Sequence, residues 1–501
     1  MEIATKDFLE QHEKTCEAHK ARIRNTSDNL IITGKTYYVS NDGNDENDGL
    51  SPERPWKSMK KVSCSDYNEG DAVLFRRGDL FRGSVGRRHN GVTYGAYGTG
   101  DKPKFYGWDK DLADPALWVE VDSVHHIWRM TEKISDCGTL VFNDGEFHSR
   151  KQIPSYIGGQ FVCRNNENEL FDMRIHMDQD LDIFNRGDEE LDLSTSKGEN
   201  FPVPLIARRV DTWLYLRCDK GNPGEVFRTI EAVPSRVAFA CGNNCHVDNL
   251  CMKYYLFGVH GAGQSCTGLK VTNCEIGWVG GNIQHYHGTD PNYPQGRRGT
   301  VTRYGNAIEI YGGAIDYEVS NCYIYQSYDA GITHQVSTNG KKYIMENVRY
   351  ANNLIEHCVY GIEYFLDQNC GPDESYMKNI EMCGNIIRFS GYGWGQQRHN
   401  TNTPAHIKGW SYTNTASEYS IHNNIFDRAA YRMLHLVAKE ASSLPKMYEN
   451  TYIQFEGNPL GQYGANNAAE PPIRVFDKNV NATLTEEFCE MNHKVYIIEK
   501  Q

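Results

Sequence analysis

The stretch VTNCEI, residues 271–276, returns 48 residues later as VSNCYI, residues 319–324. Both read as apolar, any, Asn, any, any, apolar. The pattern recurs as VDNLCM (247–252), YANNLI (350–355), a degenerate MCGNII (382–387) and IHNNIF (421–426). Their unequal spacing fits one coil per copy, with loops of different length between them. Period-2 strands joined by a recurrent turn Asn, in coils of roughly 22 to 30 residues, are what a parallel β-helix requires. No coil buries its own apolar face, so each must stack on the next. A two-layer sandwich has no such period. The expectation is an all-β solenoid.

Around the repeat, residues 1–34 carry helical apolar spacing (Phe8, Leu9, His12, Cys16) that breaks at NTSDN, and predict a helical cap over an open end. Residues 35–240 alternate short apolar runs with Gly and Asp turns and predict N-terminal coils, with an acidic, irregular excursion at 164–200. Residues 241–440 hold the repeat, and residues 441–501 predict a last coil and a cap. The stretch 280–304, rich in Gly, Pro, His and Arg, lacks the repeat and reads as an inserted loop, although Gln284 could sit in a further coil.

Composition narrows the partners. Apolar residues make up 39% of the 501, enough for a core, and 52 basic against 65 acidic residues give a net charge of −13. That balance argues against nucleic acid and favours a neutral ligand over a polyanionic one. No apolar run approaches the roughly 18 residues that span a bilayer. The N-terminus lacks the basic start and apolar core of a signal peptide, so the chain reads as cytoplasmic, or secreted if a leader was trimmed. The 15 cysteines form no dense framework and several alternate with core isoleucines, which points to buried free thiols. Cys241, Cys245 and Cys251 match no zinc spacing, the acidic loop near residue 45 is explained by turn chemistry, and His285 and His287 by strand alternation. No metal or cofactor is expected.

At this point the residues resemble the right-handed parallel β-helix, or pectin-lyase-like, superfamily of carbohydrate-active proteins. The segment YYVSNDGNDENDGLSPERPWKS (37–58) looks like the N-terminal portion of many of them. The resemblance covers residues 35 to about 440 and implies a solenoid that handles oligosaccharides or polysaccharides. It departs from polygalacturonases, since their Asn-x-Asp, Asp-Asp and Gly-His-Gly motifs do not occur here.

The coil geometry explains a carboxylate set between two isoleucines in YGNAIEIYGG, residues 304–313. If the residue after each turn Gly points inward, the next points outward. Outward positions then align as His260, Glu309, Thr333, Glu363 and, further along, Lys408 and His435. Asp329, four residues before Thr333, falls in the intervening coil. Glycoside hydrolysis needs one protonated and one ionised carboxyl, and crowding raises the pKa of one of them. Glu309, Asp329 and Glu363 are therefore the candidate catalytic groups, with roles unassigned between acid, base and nucleophile. Candidate substrate contacts are His260, Arg303, Tyr304, Thr333, His334, Gln335, Asp367, Trp394, His406, Lys408 and Trp410, with Tyr311 and Tyr364 as further sugar-stacking rings. A polysaccharide lyase acting on a uronate, with Lys408 near Arg303 and His406, is the alternative chemistry, and a non-catalytic glycan-binding β-helix is the alternative from another class. The oligomeric state, the sugar and the linkage are not legible.

Overall fold

The computed structural model describes residues 2–152, 154–157, 160–163, 177–186, 211–261, 263, 265–286, 301–338, 341–367, 375–398, 404–410, 416–438, 441–465, 474–476 and 491–499. Three long sheets of 11, 10 and 11 strands run side by side, and nearly every neighbouring pair in them is parallel. Strands that are far apart in sequence neighbour one another in each sheet, as in the run Phe257–His260, Ile308–Tyr311, Ala330–Ser337, Tyr360–Asp367, Ala405–Gly409, Leu434–Ala438. The fold is the parallel β-helix that the repeat and the resemblance led us to expect.

Its register is set by inward ladders. In the sheet just named, Phe239, Val259, Ile308, Ile332, Ile362, Ile407 and Leu434 pair rung to rung and are all fully buried. A neighbouring sheet stacks Met252, Ile276, Ile324, Ile355, Ile387 and Phe426 in the same way. A slip of one residue would turn each such ladder outward.

The repeat Asn has a backbone cause. Asn249, Asn273, Asn321, Asn352 and Asn423 all lie at φ between 52° and 61°, and the degenerate copy carries Gly384 at φ 65°. A left-handed turn tolerates Asn and Gly better than any other residues. The following position begins as Leu250, Cys274 and Cys322, then becomes a buried amide ladder of Asn353, Asn385, Asn424 and Asn450. Asn385 donates to the Tyr350 carbonyl and to Asn424 Oδ1, both at 2.9 Å, and its own Oδ1 accepts from Asn353 Nδ2 at 2.9 Å.

Two expectations are corrected. The helix Lys6–Arg24 does not cover an open end. It lies along the outer face of one sheet, with Arg24 on Glu275 at 2.8 Å, Lys20 on Glu356 at 3.3 Å, Glu13 on Arg388 at 2.5 Å and His12 on Asp427 at 3.0 Å. Outward charges on successive rungs match its polar face, a pairing that helical spacing alone does not reveal. The excursion is also larger than expected. Residues from Trp108 to Ala232 build their own core, including Trp118, Ile134, Leu140, Leu214 and Leu216, around antiparallel strands such as Ile127–Met130 and Trp213–Arg217. Short apolar runs between Gly and Asp turns look alike in coils and in hairpins. The expected 164–200 segment lies mostly outside the described residues. The inserted stretch 280–304 opens and closes as an antiparallel pair, Asn282–Tyr286 with Val301–Tyr304, so Gln284 belongs to no further coil.

Asn385→Ala takes from the Asn353 backbone N–H and from its Nδ2 their shared interior acceptor, while Asn424 Oδ1 keeps the backbone N–H of position 385. Chemical denaturation should show a loss of about 3 kcal/mol, since each orphaned buried polar group costs about 1 to 3 kcal/mol.

Candidate active site

The outward column forms as the alternation requires. His260 pairs with Glu309, Glu309 with Thr333, Thr333 with Glu363, Glu363 with Lys408, and Lys408 with His435. With Thr333 between them, the backbones of Glu309 and Glu363 stand two rungs apart, about 9.6 Å at the usual strand spacing. Although they face away from the core, Glu309, Asp329 and Glu363 are only 5–6% exposed and Lys408 is 3% exposed. The column is covered. Burying several charges together is costly unless they are matched.

The matching comes from both ends. At the lower end, Arg88 Nη2 donates to His260 Nδ1 at 2.9 Å, which leaves the proton on His260 Nε2, 3.3 Å from Glu309 Oε1. Asn306 Nδ2 donates to the other oxygen of Glu309, and Asn306 Oδ1 accepts from the Ala330 amide at 2.8 Å. Glu309 thus has a donor on each oxygen.

Asp329 sits just before the strand Ala330–Ser337, its carbonyl accepting from the Tyr360 amide at 3.1 Å. Its carboxylate is in direct contact with Arg398, which follows the short helical turn Trp394–Gln397. Burial raises the Asp329 pKa and Arg398 pulls it back. Glu363 Oε1 accepts from Trp410 Nε1 at 2.6 Å, and Arg398 and Lys408 act on it through their charge. Burial first, and then the charge of Asp329, push the Glu363 carboxyl up to about 7. Of the two carboxyls, the one touching the guanidinium ionises first, and the proton stays on Glu363.

Above Glu363 the groove turns cationic. The Lys408 ammonium lies 4.0 Å from the Trp410 ring centroid, 4.8 Å from that of Tyr360 and 3.3 Å from the Tyr360 hydroxyl. Burial, opposed by Glu363, brings its pKa down to about 8. Beside the carboxylates runs a strip of rings, with Tyr311 and Phe365 6.4 Å apart and Phe365 and Trp410 6.4 Å apart, and with Gln335 on the rung between the first two. Among the described residues, Thr333 Oγ1 and Gln335 Oε1 are buried here without a hydrogen-bond partner. Buried polar atoms are rarely left so in a native protein unless something else completes them.

Several expected contacts lie elsewhere. His334 alternates inward from Thr333, is fully buried, shares a hydrogen bond of 2.8 Å with the Tyr350 hydroxyl and stacks on Tyr364, which is itself a core ring. His406 fills a corner of the core, 2.8 Å from Ser390 Oγ and stacked on Phe426. The corresponding corner takes Gly258, Gly331 and Gly361 in other coils, where a Cβ would strike core isoleucines. A bend at this corner breaks strict alternation. Arg303 is buried against the Gly281 and Gly138 carbonyls at 2.7 and 3.0 Å, under the Tyr328 ring. Trp394 is buried beside the same ring, with its Nε1 on the Gln326 carbonyl at 2.8 Å. Tyr304 is half-buried, edge-on to Phe257 near the His260 end. The strand Tyr360–Asp367 ends at Asp367, whose side chain is outside the described residues, as is His287.

Sequence reasoning missed Arg398, Asn306, Arg88 and Arg432. Arg432 could have been found, since Met433 and Leu434 are core residues and Arg432 precedes them; Arg398 lies in a stretch without the repeat, where no periodic rule applies. Among the described residues, one mixed donor set lies on another face. Glu381, Cys383 and His422 offer atoms within 4.8 Å of one another, but Arg349 already reaches Glu381 at 2.8 Å, and the cluster is satisfied as an ion-pair network.

No family model matches the chain. A segment of 82 residues is 39% identical to a lacto-N-biosidase of Bifidobacterium longum subsp. longum, a match that covers 14% of this chain and 5% of that protein. Similar solved structures include a complex of XylC with xylose (12% identity, 92% of this chain and 82% of that one, TM-score 0.38) and a GH136 lacto-N-biosidase from Eubacterium ramulus (13% identity, 98% and 71%, TM-score 0.37). A pectate lyase, Pel9A, is a third (10% identity, 94% and 78%, TM-score 0.34).

The hydrogen bond from Trp410 steadies the ionised form of Glu363. Trp410→Phe should therefore move the Glu363 midpoint above about 7, and carboxyl carbon NMR across a pH titration would read the shift; an unchanged or lower midpoint would contradict the geometry.

Proposed function

We propose that this chain is a glycoside hydrolase that cleaves a glycosidic bond of an oligosaccharide or glycan lying in the Glu309–Lys408 groove. The observation that carries the reading is the unequal pair of buried carboxyls: Asp329 in contact with Arg398, and Glu363 held up to about 7 by burial and by Asp329. Pairs of carboxyls whose surroundings push their pKa values apart are how acid and base roles are divided at neutral pH. In this reading Glu363 gives its proton to the glycosidic oxygen as the C–O bond breaks. Asp329, ionised beside Arg398, faces the developing positive charge at the anomeric carbon and either bonds to it or takes a proton from the attacking water.

Glu309, one rung below Thr333, adds negative charge near the ring and can accept from sugar hydroxyls. The partnerless Thr333 Oγ1 and Gln335 Oε1 offer further hydrogen bonds, and the strip Tyr311, Phe365, Trp410 offers faces for the C–H side of a pyranose. The segment shared with a lacto-N-biosidase is in keeping with a glycan substrate.

One observation favours a second reading. Lys408, with its pKa down to about 8, sits one rung above Glu363 and could abstract a proton beside a uronate, as a lyase requires. The two readings differ in product and in pH dependence. A hydrolase releases reducing ends without the ultraviolet absorbance of an unsaturated uronate, and the sugar anomer seen first by NMR tells retention from inversion. A lyase produces the absorbance and gains rate as pH rises through about 8.

Because Glu363 must carry its proton, kcat/KM should fall as pH rises through about 7. Glu363→Gln should lower it by about 10³-fold and remove that limb of the profile. Asp329→Asn should be equally damaging, whereas retention of more than a tenth of the activity in either variant, at about 1.4 kcal/mol per tenfold, would overturn the assignment.

A further inference from the structure

The upper end of the column holds a buried guanidinium that no carboxylate among the described residues touches. Arg432 is 7% exposed; its Nη1 donates to Gln462 Oε1 at 2.6 Å, while its Nε is buried without a hydrogen-bond partner among the described residues. Gln462 pairs with His435 on the next rung, so the guanidinium lies over the top of the same column. His435 Nδ1 is a second buried atom without a partner. Arg432 has Tyr431, Tyr360, Gln462, Lys408 and His435 about it, and among the described residues no carboxylate acts on it. The nearest acidic group on the column is Glu363, two rungs from His435 and already engaged by Trp410. An isolated guanidinium is expensive to bury, and a bare Nε beside an open imidazole nitrogen points to a missing acceptor.

We infer that the groove carries an oxyanion subsite, in which Arg432 and His435, with Lys408 below them, receive a carboxylate, sulfate or phosphate ester on the sugar unit next to the bond that is cleaved. The guanidinium Nε and an Nδ1–H on His435 supply two donors, and Lys408 supplies charge. The inference rests on the groove proposed above as a glycan site, and it revises the expectation of a neutral ligand drawn from the net charge of −13.

The test needs no turnover, so it stands apart from the test of hydrolysis. The full chain would be titrated calorimetrically with sodium acetate and with sodium sulfate at constant ionic strength, using sodium chloride as the reference. Saturable binding of acetate, sulfate or both is expected; preference for acetate marks a carboxylated sugar, and preference for sulfate a sulfated or phosphorylated one. Arg432→Met should weaken that binding about tenfold or more, and Arg432→Lys by less. Neither variant should unfold the chain, because removing an unpaired buried charge relieves a cost. Binding no stronger than chloride, or binding unchanged in Arg432→Met, would overturn the subsite even if glycosidase activity were found. A glycan panel adds the second readout: oligosaccharides bearing a carboxylate or sulfate should be turned over in preference to uncharged ones of the same length, and Arg432→Met should erase that preference.

Discussion

Parallel stacking of coils in fixed register is the constraint on which the rest of the molecule depends. Each rung is about 4.8 Å from the next, and the inward ladder from Phe239 to Leu434 gives the register its energetic penalty for slipping. The Asn ladder from Asn353 to Asn450 adds a second lock at the turn, because each amide completes the hydrogen bonds of the next. Residues tens of positions apart then acquire fixed neighbours. Glu309, Thr333 and Glu363 are side by side for this reason alone.

Burial converts that alignment into chemistry. Asp329 and Glu363 on an open face would titrate near their usual values, screened by water and salt. Under a cover they interact strongly with one another and with the few cations that reach them. Arg398 touches Asp329, and Trp410 offers Glu363 a neutral donor. The division of roles between two similar side chains follows from who touches them, not from what they are.

The repeat made the solenoid legible, and period-2 alternation made the column legible, down to the pairing of His260, Glu309, Thr333, Glu363, Lys408 and His435. The departures have separate local causes. His334 was placed in the groove against the same alternation that placed Thr333 there. His406 was lost at a corner where the chain bends and two successive positions face the core, a bend signalled only by Gly258, Gly331 and Gly361 in other coils. Arg303 and Trp394 belong to segments outside the repeat, where they pack around Tyr328 and no rule of spacing applies. The helix Lys6–Arg24 was legible as a helix, but its site was not, since it is fixed by Glu275, Glu356, Arg388 and Asp427 from four separate coils.

Net charge is the weakest of the sequence signals for the same physical reason. A total of −13 is spread over a long molecule, and beyond a screening length of about 8 Å at physiological salt most of it is not felt inside the groove. What a ligand meets is the local order along one column: Glu309 and Asp329 low, Glu363 in the middle, Lys408 and Arg432 high. Under the proposed function, such a gradient would orient a sugar chain that carries a negative group, with that group against the cations and the uncharged bond against the acid. Orientation of this kind comes from stacking order, so moving one charged residue by a single rung would alter where the bond falls more than it would alter how tightly the chain is held.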